Sequence, residues 1–125
     1  SVPNDIKKNT SNGKQKIVKS YFKNGTLEYK YEFLNELLHG FAIYYYENGN
    51  IKSEAEYKEG KLQKTYKEYF SNGKLKFEIE YKNGYKDGYE RWYYISGQIK
   101  SEKQYLNDKL IGIIVRWDNN GNIIY

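Results

Sequence analysis

The chain has 125 residues, 21 basic and 16 acidic side chains for a formal net charge of +5, and neither cysteine nor methionine. That confines it to one domain and excludes a disulfide framework, a cysteine-ligated zinc site and a thiol nucleophile, while the single His39 cannot by itself make a histidine metal site. Leu, Ile, Val and Phe number only 28, about 22%, so the 16 tyrosines must supply much of the buried area. No stretch approaches the roughly eighteen apolar residues of a membrane-spanning helix. The redox compartment stays open, and a chain starting at Ser1 without methionine is expected to have lost an upstream segment.

Residues 1–11 lie outside any pattern and are expected to be a flexible or partly ordered segment. From Asn12 to Tyr125 the sequence repeats, as half a unit, four full units and a terminal half unit. The glycines of Asn-Gly and Ser-Gly pairs fall at Gly25, Gly49, Gly73, Gly97 and Gly121, a period of 24 without a slip. Tyr21, Tyr45, Tyr69, Tyr93 and Trp117 keep the same spacing, as do Leu27, Ile51, Leu75, Ile99 and Ile123. A second glycine column runs Gly40, Lys64, Gly88, Gly112.

Within a unit the apolar residues alternate, as Leu75, Phe77, Ile79 and Tyr81 do against Lys76, Glu78 and Glu80. That is strand periodicity. Two turns divide each unit: the Asn-Gly type at Asn48-Gly49 and Asn72-Gly73, and a second at Glu59-Gly60, Asn83-Gly84 and Asn107-Asp108. Both favour the positive backbone angles of tight hairpins, so the five Asn-Gly column glycines are structural. The expected fold is all-β: an elongated, single-layer antiparallel meander of two-strand hairpins, about nine or ten strands long.

If both turns have two-residue loops, hairpin arithmetic assigns the faces. One carries Ile51, Ala55, Tyr57, Leu62, Tyr66, Phe70, Leu75, Phe77, Ile79, Tyr81, Trp92, Tyr94 and Ile99 and is apolar. Gly40 and Gly88 would let neighbouring rings lie flat on it. The other sets Lys67 across from Glu78 and Arg91 across from Glu102, with Tyr45, Tyr69 and Tyr93 beside Lys52, Lys76 and Lys100. These six residues and Trp117 are the candidate binding residues.

The columns resemble the variant MORN repeat, best in the third unit: Tyr69-Phe70-Ser71-Asn72-Gly73-Lys74-Leu75, Glu78, Tyr81, Asn83-Gly84, Asp87-Gly88, Tyr93. Lys30, Lys64 and Ser96 depart from the pattern, and the unit around Lys64 is expected to be flatter or looser. The resemblance implies an interaction module, either an antitoxin-like partner in the bacterial cytoplasm or a cell-envelope scaffold. Some MORN arrays are joined to phosphatidylinositol phosphate kinases, so a similar chain could belong to a larger protein carrying that name. Kinase motifs themselves are absent from these residues.

No residue set favours catalysis. His39 sits at a turn near Glu36 with no nucleophile or oxyanion device in its pattern, and the column Glu54, Glu78, Glu102 spaces its carboxylates about 10 Å apart, as expected of alternate strands. No cofactor or metal is expected. Tyrosines interleaved with lysines suit single-stranded nucleic acid, but glutamates at alternate positions oppose a phosphate groove. An anionic membrane surface is the alternative partner, without the amphipathic basic helix that usually serves it. A protein partner is favoured. Ile123, Ile124 and Tyr125 end the array in an uncharged strand suited to end-to-end self-association.

Overall fold

The computed structural model describes the backbone of residues 6–9 and residues 13–125. Among these it is all-β, an eleven-stranded antiparallel sheet in which every strand pairs with its sequence neighbours. The strands are β1 (Ile6–Asn9), β2 (Gly13–Tyr21), β3 (Leu27–Leu34), β4 (Leu37–Tyr45), β5 (Ile51–Lys58), β6 (Lys61–Tyr69), β7 (Leu75–Lys82), β8 (Tyr85–Tyr93), β9 (Ile99–Leu106), β10 (Lys109–Trp117) and β11 (Ile123–Ile124). Of the N-terminal segment, Ile6–Asn9 forms an edge strand on β2; residues 1–5 and 10–12 lie outside the described residues.

The second turn is the expected two-residue hairpin. Asn35 and Glu36, Glu59 and Gly60, Asn83 and Gly84, Asn107 and Asp108 all have positive φ at both positions, which matches the twist of the flanking strands. The Asn-Gly turn is longer than expected. Phe70 N–H donates to the Lys74 carbonyl (2.8 Å) and Gly73 N–H to the Phe70 carbonyl (2.9 Å), enclosing three loop residues. Asn72 Oδ1 accepts the Lys74 N–H at 2.9 Å, so the side chain bridges a glycine held at φ 91°. The extra residue is absorbed at once, because pairing shifts between Glu68↔Phe77 and Tyr69↔Leu75 and leaves Lys76 unpaired. The two irregularities cancel. Lys67↔Glu78 and Arg91↔Glu102 therefore pair as the simpler arithmetic expects.

One layer leaves little interior. Ala42, Ala55, Phe77 and Ile79 are the buried apolar side chains, and Glu90 is buried with them. Cohesion comes from the backbone ladder, from rings lying against one another, and from bonds between successive turns. Asn48 Nδ2 donates to the Ser71 carbonyl at 2.9 Å, and Tyr46 and Tyr94 hydroxyls donate to the Tyr69 and Trp117 carbonyls at 2.6 and 2.8 Å.

The second glycine column does not make room for rings. Gly40 pairs with Tyr57 and Gly88 with Tyr105, but the space a Cβ would fill is held by the Glu32 and Glu80 side chains. The Glu80 carboxylate accepts the Tyr89 N–H at 2.7 Å. Where lysine replaces glycine the backbone keeps the same bend, with Lys64 at φ 59°. Its ammonium lies 3.3 Å from Glu56, the acid equivalent to Glu80. The unit around Lys64 is thus closed by an ion pair instead of a backbone hydrogen bond, and its strand pairing is retained.

Candidate functional site

The apolar face carries two aromatic clusters. Tyr29 and Tyr31 stack at 4.8 Å between centroids, with Tyr44 and Phe33 against them at 5.6 to 6.4 Å. The Tyr31 and Tyr44 hydroxyls bond each other, and that bond, with burial, pushes the Tyr31 hydroxyl up to about 12. In the second cluster Phe77 stacks on Trp92 at 4.2 Å and touches Tyr66 at 5.9 Å. Along the rung they share, Tyr44 and Phe77 lie three strand spacings apart, about 14 Å at normal spacing. Ser53 and Glu68 occupy the rung between them, where Glu68 accepts the Tyr66 hydroxyl at 2.7 Å.

On the opposite face the tyrosine column meets the glutamate column. Tyr69 donates to Glu54 and Tyr93 to Glu78, both at 2.5 Å. Burial raises both phenols, and the carboxylates raise them further, Tyr93 to about 12. Tyr45 faces the column position held by Lys30 and has no such bond. Trp117 has no hydroxyl to offer Glu102, which binds Arg91 at 2.7 Å instead. Glu78, expected to pair with Lys67, holds Tyr93 and forms no ion pair with that lysine among the described residues.

Lys52, Lys76 and Lys100 do not lie beside Tyr45, Tyr69 and Tyr93. Each is the unpaired residue of a register shift, and each swings over the ring that follows: Lys52 over Tyr46 at 5.8 Å, Lys76 over Phe70 at 6.0 Å, Lys100 over Tyr94 at 5.5 Å. A cation against a ring face is favourable by about 0.5–1 kcal/mol at such exposed sites. Phe70 and Tyr94, expected on the apolar face, are therefore capped by ammonium groups. The charged face is also less uniform than expected. Phe41 in β4 and Ile111 and Ile113 in β10 alternate onto it and are exposed.

The five Asn-Gly glycines all have φ between 87° and 100°. His39, expected at a turn, lies near the start of β4, where its Nδ1 accepts the N–H of Glu59 in the neighbouring turn at 3.3 Å.

The MORN repeat variant family matches residues 11–35, 38–59, 60–83 and 86–107, about three quarters of the chain. The chain belongs to that family. MORN repeats form modules often involved in protein or membrane binding. No curated protein matches the sequence. Among solved structures, a chain in the crystal structure of accessory secretory protein 1, 2 and 3 in Streptococcus pneumoniae is similar at 12% identity and a TM-score of 0.41, over 81% of this chain and 18% of its own. This chain thus spans less than a fifth of that one.

Sequence periodicity passes over one group in this MORN array. Glu90, 5% exposed, accepts bonds from Lys86 and from the Trp92 indole, both at 2.9 Å, with Lys103 at 3.8 Å. Burial alone would raise its carboxyl, but the Lys86 and Trp92 bonds outweigh that and hold it below the usual range. A concavity of about 270 Å³ beside it is lined by Trp92, Lys100, Ser101, Lys103 and Arg116 as well. The available signal was a break in columns: Lys103 follows Tyr31, Ala55 and Ile79 at its position.

Proposed function

We propose that this MORN array is a non-catalytic protein-binding module that receives its partner on the aromatic face. The observation that carries the reading is the uncovered single layer: two aromatic clusters on one face of a sheet with no second layer among the described residues. An apolar sheet face gains free energy when another surface covers it. His39, the sole imidazole, gives one ring nitrogen to a turn contact, which supports the non-catalytic reading. Of the two settings the resemblance implies, an adjacent toxin-like gene favours an antitoxin-like partner, and a signal peptide encoded upstream of Ser1 favours an envelope scaffold.

The test is capture from a lysate of the source organism. The expected result is a specific protein that resists nuclease and moderate salt, is lost with Tyr44→Ser plus Trp92→Ser, and is retained with Lys52→Ser plus Lys76→Ser. Recovery of RNA or binding to anionic vesicles alone, abolished by salt, overturns the reading.

A further inference from the structure

The aromatic face changes character at its C-terminal end. In the rung that holds Tyr29 with Tyr44 and Phe77 with Trp92, the last pair is Ser101 with Arg116. One rung along, where Ile79 is buried in the preceding unit, stands Lys103, paired across from Glu90. Lys100, unpaired at its register shift and with its ammonium over the Tyr94 ring, borders the same place. Three cationic residues therefore line a concavity of about 270 Å³ beside the Trp92 ring.

Their charge is only partly engaged internally: the Lys100 ammonium lies over the Tyr94 ring at 5.5 Å and Lys103 lies 3.8 Å from Glu90. Among the described residues Glu90 is the only acid lining this concavity, and it already holds Lys86 and the Trp92 indole N–H at 2.9 Å, with Lys103 farther off at 3.8 Å. Neither Lys100 nor Arg116 has an acidic partner within ion-pair distance among the described residues. The formal charge of the lining is thus net positive, beside a hydrophobic ring.

We propose that Lys100, Lys103, Arg116 and the Ser101 hydroxyl form a carboxylate-binding notch for an acidic side chain of a protein partner, whose neighbouring apolar residue packs on Trp92. The inference rests on the reading of this face as a protein-binding surface and names the chemistry of what it binds. A carboxylate suits the site better than a phosphate group for two reasons. The guanidinium fork of Arg116 matches a planar carboxylate in bidentate fashion. The buried Glu90 anion in the wall also repels a dianion more than a monoanion. The adjoining Trp92 and Phe77 rings give the partner's next side chain an apolar seat.

The test uses an acetylated, amidated twelve-residue peptide alternating glutamate with phenylalanine and glycine, titrated against the whole chain carrying Trp117→Phe, so that Trp92 is the fluorescent reporter. The expected result is a saturable change in Trp92 emission that weakens with salt, as exposed charge pairs do. Arg116→Gln with Lys100→Gln should weaken binding by about tenfold or more, as expected when charge-assisted bonds are lost. Both side chains lie outside the buried set, so a far-UV circular dichroism spectrum unchanged by the substitutions is the folding control. A peptide with lysine in place of glutamate should not bind. Equal binding of the lysine peptide, or of the acidic peptide to the substituted chain, overturns the notch. So does tighter binding of inorganic phosphate or of phosphatidylserine-phosphatidylcholine vesicles than of the peptide. Should the peptide fail while lysate capture still depends on Tyr44 and Trp92, the notch falls and the aromatic-face reading stands. Should the peptide bind through Arg116 while capture ignores the aromatics, the reverse holds.

Discussion

Strands β7 and β8 and strands β9 and β10 are built on one backbone plan, yet their side chains on the aromatic face do opposite things. In β7 and β8, Phe77 and Ile79 are buried and Phe77 stacks on Trp92 at 4.2 Å. One unit later the equivalents of Phe77, Ile79 and Trp92 are Ser101, Lys103 and Arg116. Both pairs keep two-residue turns with positive φ, and both are bulged beyond the turn, the bulge in β9 and β10 lying one residue farther from it. The comparison teaches that turn chemistry and the backbone ladder keep the strand plan without a fixed set of face residues, which frees the face columns to vary: one pair supplies cohesion, the next supplies charge.

The sharpest way to break that comparison is to truncate the same rung in both places. Phe77→Ala should cost about 3 kcal/mol, the lower end for a buried phenylalanine, because a single layer lets the gap fill with water instead of remaining a cavity. Arg116→Ala should cost under about 0.5 kcal/mol, as for an exposed charge with no partner. Urea unfolding of both variants checks this. Equal losses would mean that β9 and β10 contribute to cohesion as much as β7 and β8.

How far this was legible beforehand depends on which residues repeat. The Asn-Gly column and the second turn are strict, and from them the all-β meander, the strand order and the pairings Lys67↔Glu78 and Arg91↔Glu102 follow. The third loop residue was hidden because the register shift at Lys76 compensates for it. The same hidden shift misplaced the lysines: an unpaired residue leaves the alternation, so Lys52, Lys76 and Lys100 reach rings that parity alone would not assign to them. The notch was hard to read because Lys103 and Arg116 break their columns, and a search for periodic columns discards what occurs once.

Glycine gives the next largest contrast. Gly88 sits at φ 117°, and a Cβ there would lie 2.9 Å from Glu80 Cβ, an atom fixed to the strand; at Gly112, φ is 70° and the space is open. Gly88→Ala should therefore cost about 2 kcal/mol, from strain plus displacement of the carboxylate that accepts the Tyr89 N–H. Gly112→Ala should cost about 1 kcal/mol, the left-handed penalty alone. If the two lose equal stability, the glutamate seat is not what the column glycine preserves.

The smallest effect expected lies on the other face, where Tyr93 reaches Glu78 and Trp117, its equivalent, reaches no acid. Tyr93→Phe removes one hydrogen bond to a charged, half-exposed carboxylate and should cost about 1 kcal/mol at neutral pH. Alkaline titration separates this bond from packing. The Tyr93 phenol is raised from 10.0 to about 12, first by burial and then by the Glu78 bond. A raised acid of this kind contributes stability in full below pH 10 and loses it as the pH climbs from 10 through about 12, since the unfolded chain releases the proton first. Tyr69 and Tyr66 shift in the same direction, so the wild-type chain should weaken over that range and the Tyr93→Phe chain should weaken less. The stability difference between the two, measured by urea unfolding at pH 7 and again near pH 11, should shrink. A difference that stays constant would assign the cost of losing the hydroxyl to packing and leave the clamp between units without an energetic role.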